Sequence, residues 1–159
     1  MPKVLIVYYS RSGNTEAMAR LVAEGVRSEG VDVECKKVAD TTLDDLLAAD
    51  GIILGSPTYY GTMAAEMKKL LDDSVKYHGK LDGKVGAAFS SSGGVAGGNE
   101  TTIMEMLKAL LIHGMVIQGD PSGDHYGPVA VGKPDSRSSA ECKRRGVRVA
   151  KLVKRLAQK

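Results

Sequence analysis

The chain has 159 residues, 43% hydrophobic and 26% charged, with a net charge of +3, 19 glycines, six tyrosines, one phenylalanine and no tryptophan. One domain spanning residues 1–159 is expected, with enough chain to bury a core, and this balance excludes a disordered or fibrous protein. No apolar run approaches the roughly 20 residues of a membrane span, and Cys35 and Cys142 lack metal or redox spacing, so two packed thiols are expected.

The opening MPKVLIVYYS carries one lysine and no small-residue cleavage site. It reads as a buried strand over residues 4–8 rather than a signal peptide, which places the protein in the cytoplasm. Residues 15–28 follow with helical spacing (Met18, Leu21, Val22, Val26). Residues 31–38 alternate with charge as an exposed edge strand, and residues 43–49 form a short amphipathic helix. Then come a strand at 51–54, a helix at 63–75, a strand at 85–89, a helix at 100–113 and a strand at 115–117. Residues 119–137, rich in Gly, Pro, Ser and Asp, read as a long loop before a last helix at 139–157. Strict strand-helix alternation with right-handed crossovers predicts an α/β three-layer sandwich: a five-stranded parallel sheet, order 2-1-3-4-5, covered on both faces. In that topology ligands bind beyond the carboxyl ends of strands one and three.

The loops at that edge are distinctive. The first reads Ser10-Arg11-Ser12-Gly13-Asn14-Thr15. Three hydroxyls around one glycine, at a helix N-terminus with free backbone N–H groups, form a nest suited to a phosphate without a lysine. Ordinary N-capping by Ser12, Asn14 or Thr15 is the plainer alternative. Neither Gly-Lys-Ser/Thr nor Gly-x-Gly-x-x-Gly occurs there, which excludes a P-loop and a dinucleotide fingerprint. The third-strand loop, Gly55-Ser56-Pro57-Thr58-Tyr59-Tyr60-Gly61-Thr62-Met63, sets two adjacent tyrosines either against a ligand or over the sheet edge. The fourth, running from Ser90 through Ser91, Ser92, Gly93, Gly94, Val95, Ala96 and Gly97 to Asn99, either grips a flat heteroaromatic edge with its backbone or is a flexible connector. With no Ser-His-Asp set, paired carboxylates or metal motif, no nucleophile or general base is nominated.

A phosphate nest, tyrosines for stacking and a glycine-rich grip at one switch point describe a mononucleotide with a flat ring, flavin mononucleotide (FMN). The stretches KVLIVYYSRSGNTEAMA, GSPTYYGTM, FSSSGGVAGGNETTI and HGMVI, in this order, resemble the flavodoxin-like family, and within it the WrbA-type NAD(P)H:quinone oxidoreductases. The resemblance covers nearly the whole chain. It implies that Ser10, Arg11, Ser12, Gly13, Asn14 and Thr15 hold the flavin phosphate. Thr58, Tyr59 and Tyr60, flanked by Pro57 and Gly61, would run along the isoalloxazine, and Ser91 to Gly97 would hold the ring edge and ribityl region. It also implies that His113 reaches the flavin site, directly or from a neighbouring subunit, as a substrate-pocket residue with Tyr60. A helix C-terminal histidine acting on the dipole is the plainer reading of His113. Tyr126 would border the ring. NADH or NADPH would be the electron donor, a quinone the acceptor, and the assembly a dimer or tetramer. The chain departs from that pattern in a shortened insertion between strands two and three, in Ser12 where those reductases carry tyrosine, and in lacking their pocket tryptophan.

The charge is uneven: residues 1–132 carry 12 basic and 17 acidic groups, residues 133–159 carry 10 and 2. No aromatic is interleaved with the basic groups, which excludes a nucleic-acid binder. Cys142, Val149, Val153 and Leu156 form an apolar stripe that leaves Arg145, Arg148, Lys151, Arg155 and Lys159 outward, either solvated or against an acidic surface of another subunit. The competing function is a flavodoxin-type one-electron carrier docking on redox partners; a basic chain with no tryptophan departs from the acidic, tryptophan-covered carriers. A receiver-type signalling domain would need acids where Tyr9-Ser10 and Gly55-Ser56 stand.

Overall fold

The computed structural model describes residues 1–158, so Lys159, expected to face outward, lies outside the described residues. Strands and helices alternate as β1 (Lys3–Tyr8), α1 (Asn14–Ser28), β2 (Asp32–Lys37), α2 (Leu43–Ala48), β3 (Gly51–Pro57), α3 (Ala65–Asp73), β4 (Val85–Ser92), α4 (Asn99–Ile112), β5 (Val116–Ile117), β6 (Val129–Val131) and α5 (Ser136–Ala157). All pairings are parallel, in the expected order β2-β1-β3-β4-β5.

The fifth position of the sheet is filled twice. Val116 and Ile117 pair with Val85 and Gly86 at one end of β4, and Val129 to Val131 pair with Ser90 to Ser92 at the other. Between them the chain leaves the sheet. The expected continuous loop at 119–137 is thus corrected: it contains β6, and α5 starts at Ser136 rather than 139. A three-residue apolar segment between Pro128 and Gly132 is too short for an alternation pattern to reveal.

Successive β1 side chains feed opposite faces, as strand geometry requires. Val4, Ile6 and Tyr8 pack with Met18, Val22, Phe89, Cys142 and Val149 under α1 and α5. Leu5 and Val7 pack with Leu54, Met67, Ile103 and Met106 under α3 and α4. Burying each such aliphatic side chain is worth about 1.5–3 kcal/mol. Gly55 belongs to β3 rather than to a loop, and a Cβ there would sit 2.1 Å from the Phe89 ring, its cross-strand neighbour. The same logic joins α1 to α5: a Cβ on Gly25 would meet the Lys143 carbonyl oxygen at 2.1 Å, and one on Gly146 the Val22 carbonyl oxygen at 2.1 Å. Two helical glycines let the backbones touch.

The outward face expected for α5 is corrected at Arg145, which is 4% exposed. Its guanidinium donates to the carbonyl oxygens of Gln118 (2.8 Å) and Asp124 (3.2 Å), in the segment that leaves the sheet. Arg144 donates twice to Asp120, at 2.7 and 2.9 Å, and Arg148 to Gly119 O at 2.6 Å. Lys143 pairs with Glu24, and Lys154 with Glu29. Much of the basic charge of α5 is therefore met by acids and carbonyls of the same chain. Among the described residues no helix is long and apolar enough to cross a membrane.

Candidate functional site

The carboxyl ends of β1, β3 and β4 open into a cleft of about 250 Å³ at the switch point. From the first loop it is lined by Arg11, Ser12, Asn14 and Thr15; from the third by Pro57, Thr58 and Tyr59; from the fourth by Ser91, Ser92 and Gly93. Gly132, directly after β6, completes it. Sequence reasoning missed Gly132 because the short strand that delivers it was unseen.

The first loop is built to keep a helix end open. Ser10 Oγ accepts the Gly13 N–H at 3.1 Å, folding the turn, and Gly13, at φ +98°, is the N-cap. A glycine cap has no side chain to spend on the first-turn amides, and no side chain caps α1. The capping alternative for Ser12, Asn14 and Thr15 is therefore not what the structure contains. The helix end presents backbone donors and the positive end of its dipole to the cleft.

Behind it, Thr15 Oγ1 and Ser91 Oγ lie 2.8 Å apart, at 2% and 4% exposure. Each hydroxyl has one proton, and this bond uses one of the two. Among the described residues neither oxygen has a second partner, so one O–H is left with no protein acceptor beside the open helix end. A buried donor of that kind costs about 1–3 kcal/mol unless something accepts from it.

The two other walls are tied together. Thr58 N–H donates to Ser91 O at 2.7 Å, and the hydroxyls of Thr58 and Ser90 lie 2.9 Å apart. Tyr59 and Thr62 exchange backbone bonds of 2.9 and 3.2 Å, closing a turn with Tyr60 at its tip. The Tyr59 ring meets Tyr9 edge-on at 6.3 Å, and burial, reinforced by Tyr9, pushes its phenol above the ordinary value. Tyr60 adopts a left-handed φ of +49° with its ring fully exposed. For a bulky side chain that is a strained backbone, of a kind that gathers at ligand sites.

Other expected residues fall outside the lining. Tyr60 and Gly61 form the turn above the cleft, and Gly94, Val95, Ala96 and Gly97 form a second turn beyond Gly93, closed by Gly97 N–H to Gly94 O at 3.1 Å. Tyr126, about half exposed, is not among the lining residues; the next residue, Gly127, packs on Ala88 O, three residues before Ser91 along β4.

Within this chain His113 does not line the cleft. It caps the C-terminus of the 14-residue α4, whose N-terminus faces the cleft, so roughly 20 Å of helix lies between. There it is 7% exposed, with Nε2 2.8 Å from Ser74 Oγ and the His78 ring 6.1 Å away. Ser74 Oγ–H donates to Leu71 O at 2.6 Å, so it accepts from His113 and fixes the Nε2–H tautomer. Nδ1 has no partner. Among the described residues no three His, Cys, Asp or Glu side chains cluster to hold a metal.

A doubly wound parallel sheet with an oxyanion-ready cleft at its switch point is the architecture of mononucleotide-binding α/β proteins. A family described as NADPH-dependent FMN reductase matches residues 36–125. The chain is 46% identical to a flavodoxin of Aquifex aeolicus, over 96% of this chain and 88% of that one. It is 32% identical to an NAD(P)H dehydrogenase (quinone) of Archaeoglobus fulgidus, over 98% and 100%. Among solved structures it overlays an archaeal flavodoxin with a TM-score of 0.80 at 35% identity (96% and 99% covered), and a WrbA-like protein of Agrobacterium tumefaciens with a TM-score of 0.82 at 27% identity (98% and 99% covered). The chain belongs to the flavodoxin-like family of FMN-dependent oxidoreductases, as its motifs implied.

Proposed function

We propose that this protein holds FMN in the cleft and serves as a two-electron NAD(P)H:quinone reductase. The observation that carries the placement is the unspent hydroxyl proton of the Thr15–Ser91 pair beside the uncapped end of α1. A phosphate supplies the missing acceptor, and the first-turn amides and the hydroxyls of Ser10 and Ser12 are of the right chemistry to surround it. The donor set therefore fits the group. Thr58, Tyr59 and Tyr60 then flank the isoalloxazine, with Tyr60 as the cover over its outer face, while Ser91, Ser92 and Gly93 meet the ring edge. Gly94, Val95, Ala96 and Gly97 close down from the outer turn.

FMN when bound supplies the hydride and electron chemistry, taking two electrons from a nicotinamide and yielding them to an acceptor. The protein's own residues hold, orient and cover; none is placed as acid or base. The reductase reading draws on the relatives named NAD(P)H dehydrogenase (quinone) in Archaeoglobus fulgidus and Azorhizobium caulinodans. A second reading, a one-electron carrier, is favoured by the Aquifex aeolicus relative named flavodoxin. Steady-state oxidation of NADH and of NADPH, with and without benzoquinone, separates them. Quinone-dependent turnover supports the reductase; a yellow protein with no turnover, which nonetheless passes electrons to a protein acceptor, supports the carrier.

A further inference from the structure

The β3–β4 ladder ends at Pro57 and Ser91, and past it Thr58 N–H to Ser91 O is the last backbone bond between the two walls. Beyond that point the walls are held by a third element that does not line the cleft. Resting on the reading that the cleft holds FMN, we infer that the first turn of α4 sets the separation of the two walls, with Thr102 and Asn99 as positioning residues. Thr102, fully buried, brings Oγ1 to 3.1 Å from Thr58 Oγ1, and Thr58 in turn bonds Ser90. Asn99 donates through Nδ2 to Ser90 O at 3.1 Å and accepts through Oδ1 from Ser92 Oγ at 2.5 Å, so one amide grips the end of β4 on both sides of Ser91. Thr101 Oγ1 reaches Gly61 O at 2.6 Å, fixing the turn that carries Tyr60.

The fit is close because Gly98 permits it. A Cβ there would lie 3.0 Å from Gly61 Cα and 3.1 Å from Thr58 Cγ2, at a φ of +106° that favours glycine. The seam is made of short hydroxyl and amide side chains; Thr101 and Thr102 Oγ1 also lie 2.9 Å from Gly98 O at the start of their own helix, but their contacts to Gly61 O and Thr58 Oγ1 are the ones that cross to the wall, so loss of either hydroxyl moves the walls relative to each other.

Thr102→Val removes the hydroxyl and keeps the shape. Titrated with FMN and with riboflavin, it should bind both about tenfold more weakly, the loss expected for one buried hydrogen bond. Thr102→Ser should return both to within about twofold, which a volume effect of the methyl would not do. Exposed Thr101→Val, safe for folding, should cost about threefold through Gly61. In the FMN-free protein, the amide resonances of residues 58–61 and 90–93 should shift together in Thr102→Val and revert in Thr102→Ser. Unchanged flavin affinities in Thr102→Val and Thr101→Val, or amide shifts confined to α4, would overturn the inference. If the unsubstituted chain binds no flavin, the FMN reading fails, and the amide shifts alone decide whether α4 sets the walls.

Discussion

Thr15 on α1 and Ser91 on β4 share one hydrogen bond of 2.8 Å, although the two hydroxyls have two protons to give. Thr15→Val removes one of those protons and the bond that joins the pair, leaving Ser91 without its partner beside the phosphate position. FMN affinity should fall about tenfold, since a hydrogen bond to a charged group is worth about 1.5–3 kcal/mol. Riboflavin, which lacks the phosphate, should change less than about twofold. Calorimetric titration of both ligands is the check, and equal losses would remove the phosphate from this end of the cleft.

Gly146→Ala tests the contact between α1 and α5. At an exposed helical site this change gains about 1 kcal/mol in helix propensity. Here the new methyl would lie 2.1 Å from the Val22 carbonyl oxygen, a backbone atom that cannot swing aside. Overpacking should win and cost about 3 kcal/mol. Urea unfolding reads the sign directly; a stabilised Ala variant contradicts the close crossing.

Asp120 links the excursion between β5 and β6 to α5. Its hydrogen bonds from Arg144 hold its carboxyl well below the ordinary 3.8, with Ser122 N–H and Arg148 assisting. A carboxylate depressed in the folded state stabilises above its unfolded pKa, and that contribution is lost as the pH falls through 3.8 towards the lower folded value. Asp120→Asn should destabilise by about 2–3 kcal/mol at neutral pH, less than a fully buried pair because Arg144 is partly solvated. The same variant should flatten the acid limb of the stability curve below pH 4.

The pH dependence of His113 runs over a different window. Burial first, and the His78 charge second, hold its imidazole below the ordinary 6.5. As the pH falls through 6.5 the unfolded chain takes up a proton that the folded chain refuses, so stability declines there and levels off below the folded value. Urea midpoints at pH 7.5 and 5.5 should differ more for the natural chain than for His113→Gln, whose amide can still donate to Ser74. An identical difference in both would show that another group carries the decline.

Strand order and the three cleft loops were legible because each strand is a continuous apolar run and each loop a cluster of hydroxyls, glycines or tyrosines. Arg145 was misread although its spacing was informative. It lies three residues after Cys142 and four before Val149, hence on the buried stripe, and charge alone argued for the outside. What buries it is a set of carbonyls 20 or more residues away, which no local pattern displays. Gly25 and Gly146 weaken their helices by propensity, and only the other's helix packed against each accounts for them. His113 sits in a family-like stretch, yet its position along α4 is a matter of helix length, and fourteen residues carry it to the far end of the sheet.

The divided fifth strand separates two duties that a single strand would combine. β5 closes the end of the sheet remote from the cleft and β6 delivers Gly132 to its rim, while the chain between them is clasped by α5. The exposed tip at residues 121–123 can therefore accept added length, a fluorescent label or a fused peptide without altering the register of β6. Ending α5 before Arg144, in contrast, would remove the clasp and loosen the rim.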